Sequence, residues 1–181
     1  TDSNNTLNVL NPGTLLTNSA ELRVGLGGSG NSMVISNGGR VAASAGVIGS
    51  APGASNNIVL VTGTDSLWTN IDLSVGVNGA GNSLVISNGG TVRNTTGTIG
   101  LAFGNSFSNS VLVTGANSLW LSSAGLTIGN FADGNSLVLS DGGEVIVGTD
   151  LVISAFARSS NNLVSISGGS LTVTNGQIDI G

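Results

Sequence analysis

The chain has no cysteine, histidine, lysine or tyrosine, and each gap removes a class of function. Without cysteine there is no disulfide framework and no thiolate metal site, and without histidine the commonest imidazole ligand is missing. Cysteine usage therefore says nothing about the redox compartment. Only 7% of the residues are charged, with a net charge of -5. The four arginines, Arg23, Arg40, Arg93 and Arg158, lie far apart. They make no basic stripe to neutralise phosphates, so nucleic acid is not an expected partner. No apolar run reaches membrane-spanning length, and no basic-then-apolar leader precedes the first repeat. No membrane insertion of this segment is expected. The chain starts at Thr1 rather than Met and is read as one solenoid segment, 1–181, excised from a longer array.

What the chain does have is 30 glycines among 181 residues and 39% hydrophobic content. That much apolar material can build a core, and such bias points to repeats. The nonapeptide NSMVISNGG at 31–39 returns as NSLVISNGG at 82–90 and NSLVLSDGG at 135–143. Between these copies lies a second type, VLVTGTDSLW at 59–68, which returns as VLVTGANSLW at 111–120. Aligning both types places asparagine at Asn5, Asn31, Asn57, Asn82, Asn109, Asn135 and Asn162, in steps of about 26 residues.

Each unit divides into three short strands. The first is an apolar triplet such as Leu84, Val85 and Ile86, closed by Asn-Gly-Gly, Asp-Gly-Gly or Thr-Gly, where glycine supplies the positive φ of a sharp corner. The second is Thr91-Val92-Arg93 or Ser66-Leu67-Trp68. The third recurs as LRVG at 22–25, LSVG at 73–76, LTIG at 126–129 and IDIG at 178–181, with a period of two. Glycine and β-branched residues interrupt every window before a second helical turn could form. The expected fold is all-β: a parallel β-helix, or β-solenoid, of about seven coils of ~26 residues with three short strands per coil. A sandwich of hairpins would also use Asn-Gly turns, but gives no reason for matched residues to recur once per three strands.

This register makes specific expectations. The seven asparagines form a structural ladder. Leu84 and Ile86, Val59 and Val61, Val92 and Leu67, and Ile99 and Val75 point inward. Trp68, Arg93 and Trp120 follow the inward Leu67, Val92 and Leu119, and so are expected outside as a cation–π stack. Val34, Leu60, Val85, Leu112 and Val138 sit between inward positions and form an outer apolar strip, a candidate interaction face.

NSLVISNGGTV at 82–92, followed by TIG at 98–100 and by the Ser-Leu-Trp of alternate coils, resembles the repeats associated with type V secretion passengers and PEP-CTERM proteins, which are related to autotransporter-associated β-strand repeats. The resemblance covers essentially the whole chain. It implies a right-handed parallel β-helix, an extracellular or bacterial cell-surface location, and a stalk or adhesin role. It supplies no catalytic residues to carry over, and with no histidine, no cysteine and no spaced Asp/Asn loop ending in Glu, no metal or cofactor is expected. Self-association, other surface proteins and glycans are the partners that fit such a role.

The chemical motifs are weak beside this reading. Gly25-Leu-Gly-Gly-Ser-Gly30 fits a dinucleotide fingerprint, but a strand follows where the fingerprint requires a helix. Among the acids, Asp72 and Asp150 share a column three coils apart, and Asp141 and Glu144 flank one corner. Glycoside hydrolysis needs paired carboxylates at roughly 5 to 9.5 Å. A carbohydrate-binding or carbohydrate-active β-helix is the alternative function, and an enzyme is not expected. An ice-binding solenoid would need regular threonine rows, which the mixed outward positions do not supply.

Overall fold

Glycine and asparagine decide where this chain turns, because both tolerate the left-handed backbone that a β-branched residue avoids. The protein's structure, a computed structural model, describes residues 2–102, 104–157 and 159–181. At the first corner Asn37 and Gly38 have φ of 52° and 85°, Asn88 and Gly89 have 51° and 85°, and Asp141 and Gly142 have 50° and 86°. The Thr-Gly coils make the same bend differently, with Gly63 at 86° and Asp65 at 64°.

Between the corners the chain is all strand. One sheet is built from β1 (Thr6–Leu10), β3 (Ser32–Ser36), β5 (Ile58–Thr62), β8 (Ser83–Ser87), β11 (Ser110–Thr114), β14 (Ser136–Ser140) and β17 (Leu163–Ser167), stacked in that order. The second sheet wraps the other two sides of the coil. One side carries β6 (Leu67–Thr69), β9 (Thr91–Asn94), β12 (Leu119–Ser122), β15 (Glu144–Val147) and β18 (Ser170–Val173). The other carries β7 (Asp72–Val75), β10 (Thr96–Ile99), β13 (Leu126–Ile128), β16 (Leu151–Ile153) and β19 (Ile178–Ile180). All pairs are parallel, and each strand pairs with its counterpart one coil on, which makes the fold a β-solenoid of about seven turns. The first two turns depart from three short strands. There β2 (Leu15–Val24) and β4 (Arg40–Ile48) run through the second corner without a break and so join the two sides into one sheet. At 43–45 in β4 there is no glycine, proline, asparagine or aspartate to break the strand.

The core runs up the middle of the coil. Val59 and Val61, Leu84 and Ile86, and Val75 and Ile99 are fully buried, as their alternation requires. The second side of the coil differs from its expected phase. Trp68 and Trp120 are themselves fully buried, in register with Val92, while Leu67 and Leu119 are half-buried and face out. Arg93 is exposed and pairs across the ladder with Thr69 and Leu121. The expected outer stack of Trp68, Arg93 and Trp120 is therefore corrected: the arginine is outside and both indoles are inside.

The physical reason sits at the corner. Ser66 and Ser118 turn inward and are buried, each Oγ donating to a backbone carbonyl four residues back, Thr62 O at 2.8 Å and Thr114 O at 2.7 Å. Each Oγ also accepts from a glycine N–H of the preceding coil, Gly38 at 3.0 Å and Gly89 at 3.1 Å. With serine fixed inward, alternation puts leucine out and tryptophan in. Room for the indoles comes from glycine: a Cβ on Gly46 would lie 2.5 Å from the Trp68 ring, and one on Gly97 would lie 3.0 Å from the Trp120 ring. The column that holds Leu73 and Leu126 thus holds glycine one coil before each tryptophan. From Leu22 to Leu126 large and small residues alternate in this column with a period of two coils, and Leu151 ends the alternation.

The two indoles are not equivalent. Trp120 Nε1 donates to Asn94 Oδ1 at 2.6 Å, and Asn94 Nδ2 donates to Ser122 Oγ at 2.9 Å. Trp68 Nε1 and the Asn70 amide are buried without a hydrogen-bond partner among the described residues. Replacing Trp120 by Phe strands the Asn94 carbonyl and should cost about 1–3 kcal/mol beyond the loss of packing. Trp68→Phe removes a donor that has no acceptor and should cost less. Denaturant melts of the two variants check this, and equal losses would contradict the packing described here.

Candidate functional site

Three features of the surface and corners could carry function: the asparagine ladder, the carboxylates and the outer faces of the strands. The ladder is continuous. From Asn31 to Asn162 each Oδ1 accepts two hydrogen bonds from the asparagine one coil earlier, one from its backbone N–H and one from its side-chain amide. The amide contacts are 3.0 Å from Asn5 to Asn31, 3.0 Å from Asn31 to Asn57 and 2.9 Å from Asn57 to Asn82. They continue at 3.1 Å from Asn82 to Asn109, 3.2 Å from Asn109 to Asn135 and 3.1 Å from Asn135 to Asn162. The backbone contacts lie between 2.8 and 3.0 Å.

Asn57, Asn82, Asn109 and Asn135 are fully buried. Glycine makes space for them. Gly25, Gly49, Gly76, Gly100 and Gly129 end third strands at positive φ, and a Cβ on any of them would fall on the side chain of Asn57, Asn82, Asn109, Asn135 or Asn162 respectively. The buried amides direct their hydrogen-bonding groups at one another and at the corner, so the ladder is a structural element rather than a ligand site.

Four of the nine acids are likewise tied to neighbouring coils. Thr96 Oγ1 donates to Asp72, Thr114 Oγ1 donates to Asp141 Oδ2 at 3.2 Å, and the Gln177 N–H donates to Asp150 Oδ1 at 2.9 Å. Ser160 donates to Asp133 Oδ1 from its N–H at 2.7 Å and its Oγ at 3.0 Å. Arg23 pairs with Glu21 in its own strand, and this hydrogen bond, followed by the charge of Glu21, raises the Arg23 pKa. Arg158 lies outside the described residues. The glycine-rich stretch 25–30 is a corner that leads from β2 into β3, with Gly28 packed against the Asp2 backbone. Among the described residues no group of three or more acidic, histidine or cysteine side chains could hold a metal ion, and no helix is long and apolar enough to cross a membrane.

One corner was not singled out in the sequence. Phe107, Phe131 and Phe156 fall in the loops after third strands, and Phe103 lies outside the described residues. The Phe131 and Phe156 rings stack with centroids 4.2 Å apart and planes within 10°. Phe107 stands half-exposed at a cleft of about 320 Å³ that also takes in Asp133 and Asn161. Their clustering in one kind of loop was the available signal.

The outer strip is in register. Val34, Leu60, Val85, Leu112 and Val138 follow one another strand by strand, each half-buried, with Asn8 before them and Ser165 after. On either side run columns made mostly of serine and threonine, such as Ser36, Thr62, Ser87, Thr114 and Ser140.

In comparisons with family models, curated proteins and solved structures, no match to the chain is found.

Because the ladder is cooperative and buried, its middle and its end should respond differently to truncation. Asn109→Ala removes the acceptor for both the N–H and the amide of Asn82, and should destabilise the protein by about 1–3 kcal/mol for each buried group left unpaired. Asn5→Ala, at an exposed end, should change stability by less than about 0.5 kcal/mol. Urea denaturation of both variants measures the difference, and indistinguishable midpoints would contradict the role given to the ladder.

Proposed function

We propose that this chain is a segment of a structural stalk, an adhesin-type passenger of a secreted or surface-anchored bacterial protein, and that it carries out no chemistry of its own. The observation that carries this reading is uniformity. The same asparagine, bonded in the same way, recurs through every coil, and the first sheet keeps one register from β1 to β17. A catalytic solenoid needs a place where the repeat gives way to converging groups. Here Asp72, Asp133, Asp141 and Asp150 accept hydrogen bonds from adjacent coils, which is the use a scaffold makes of a carboxylate.

A stalk must hold its length. Strand stacking at about 4.8 Å gives seven coils a rod roughly 34 Å long, and each coil added to such an array extends it by the same step. The resemblance of the repeats to those of type V secretion and PEP-CTERM-associated proteins supports export to the bacterial surface. Antibody raised against this segment should label intact cells that make the protein, and protease added outside such cells should remove the label. Labelling only after the cells are opened would overturn the proposal.

A further inference from the structure

We infer that the outer face of the seven-stranded sheet is a self-pairing surface, on which a second copy of this chain packs face to face. The strands of this face are TLNVL, SMVIS, IVLVT, SLVIS, SVLVT, SLVLS and LVSIS, and none contains a charged residue. The charges in strands lie on the other two sides of the coil, at Arg40, Arg93 and Glu144 and at Glu21, Arg23, Asp72 and Asp179. Covering either of those sides would take charged groups out of water, a cost that the first sheet's strands do not carry.

The face is also prepared for covering. Its centre is the apolar strip from Val34 to Val138. The hydroxyls beside it are bonded along the stack: Ser87 Oγ donates to Thr62 Oγ1 at 2.9 Å, and Ser140 Oγ donates to Thr114 Oγ1 at 2.8 Å. Hydroxyls already paired within the chain lose less on leaving water. No register shift interrupts the seven strands, so the surface has no bulge to hold a partner away.

Size and symmetry identify a second copy as the occupant. Five residues by seven strands cover about 16 by 34 Å, roughly 500 Å² on each copy and about 1,000 Å² in the pair, which reaches the lower limit of a specific interface. The strip reads valine, leucine, valine, leucine, valine, and is capped at both ends by the polar Asn8 and Ser165. This order is the same in both directions about Val85. A two-fold axis at the Val85 row therefore overlaps all five apolar rows of both copies, as an isologous interface requires.

The absence of cysteine allows a direct test on the whole chain. Val85→Cys puts one thiol on the two-fold, and Arg93→Cys puts one on an exposed position of another side. Under mild oxidation Val85→Cys should form cross-linked dimer about tenfold faster than Arg93→Cys, because pairing raises the effective concentration of its thiol. End-to-end stacking would leave Val85 thiols about 34 Å apart and uncross-linked. Sedimentation of the parent chain should show a dimer that the double variant Leu60→Asp, Leu112→Asp returns to monomer, with its β-sheet circular dichroism retained. Equal cross-linking rates for the two cysteines, a parent chain that stays monomeric at every concentration, or a dimer that survives the double substitution would each overturn the inference. If the double variant fails to fold, the cysteine pair decides alone.

Discussion

The structure depends on one constraint: every coil must present an asparagine at the same height and corner, with its carbonyl oxygen turned toward the coil before it. Each Oδ1 accepts from the previous asparagine's N–H and amide, so the ladder sets both the spacing of the coils and their direction. A slip of one residue in any coil would break two hydrogen bonds at that rung and turn every strand residue to the opposite face. The glycines that end the third strands follow from this. The backbone there must bend with positive φ, and a Cβ would collide with a ladder asparagine.

Within that frame the core is not a simple stack of like on like. Trp68 and Trp120 exceed the space of one coil, and Gly46 and Gly97 in the coils before them make up the difference. The two-coil period carries through to the outside, since Leu60 and Leu112 of the tryptophan coils alternate with Val34, Val85 and Val138. Outer and inner columns thus share the two-coil period of the two unit types. The pairing of each tryptophan with a glycine one coil earlier is what requires two unit types rather than one.

The coil length, the strand order and the ladder were legible in the sequence, because an asparagine heading the first strand of each unit recurs at nearly constant spacing and only a solenoid brings such recurrences into contact. The orientation of Ser66-Leu67-Trp68 was not. Alternation specifies that neighbours face opposite ways but not which of them faces in, and that phase is set by the Ser66 and Ser118 hydroxyls, which find backbone partners inside the corner. Gly46 and Gly97 were the readable clue, since each interrupts an otherwise aliphatic inward column one coil before a tryptophan. The fusion of the second and third strands in β2 and β4 was hidden for a related reason. Three short strands per coil were expected, yet between Asn18 and Glu21 the chain runs on as an irregular strand with a register shift.

The proposed stalk needs coils held at one spacing, and the proposed side-by-side pairing needs a first sheet kept in one register. Both ideas rest on the ladder holding all seven coils in one register. Hydrogen exchange followed by nuclear magnetic resonance at the asparagines tests this most directly. The account predicts strongly slowed exchange of the backbone and side-chain amides of Asn57, Asn82, Asn109 and Asn135 alike, with faster exchange at the exposed Asn5. Rapid exchange of the side-chain amides in the central coils would contradict it.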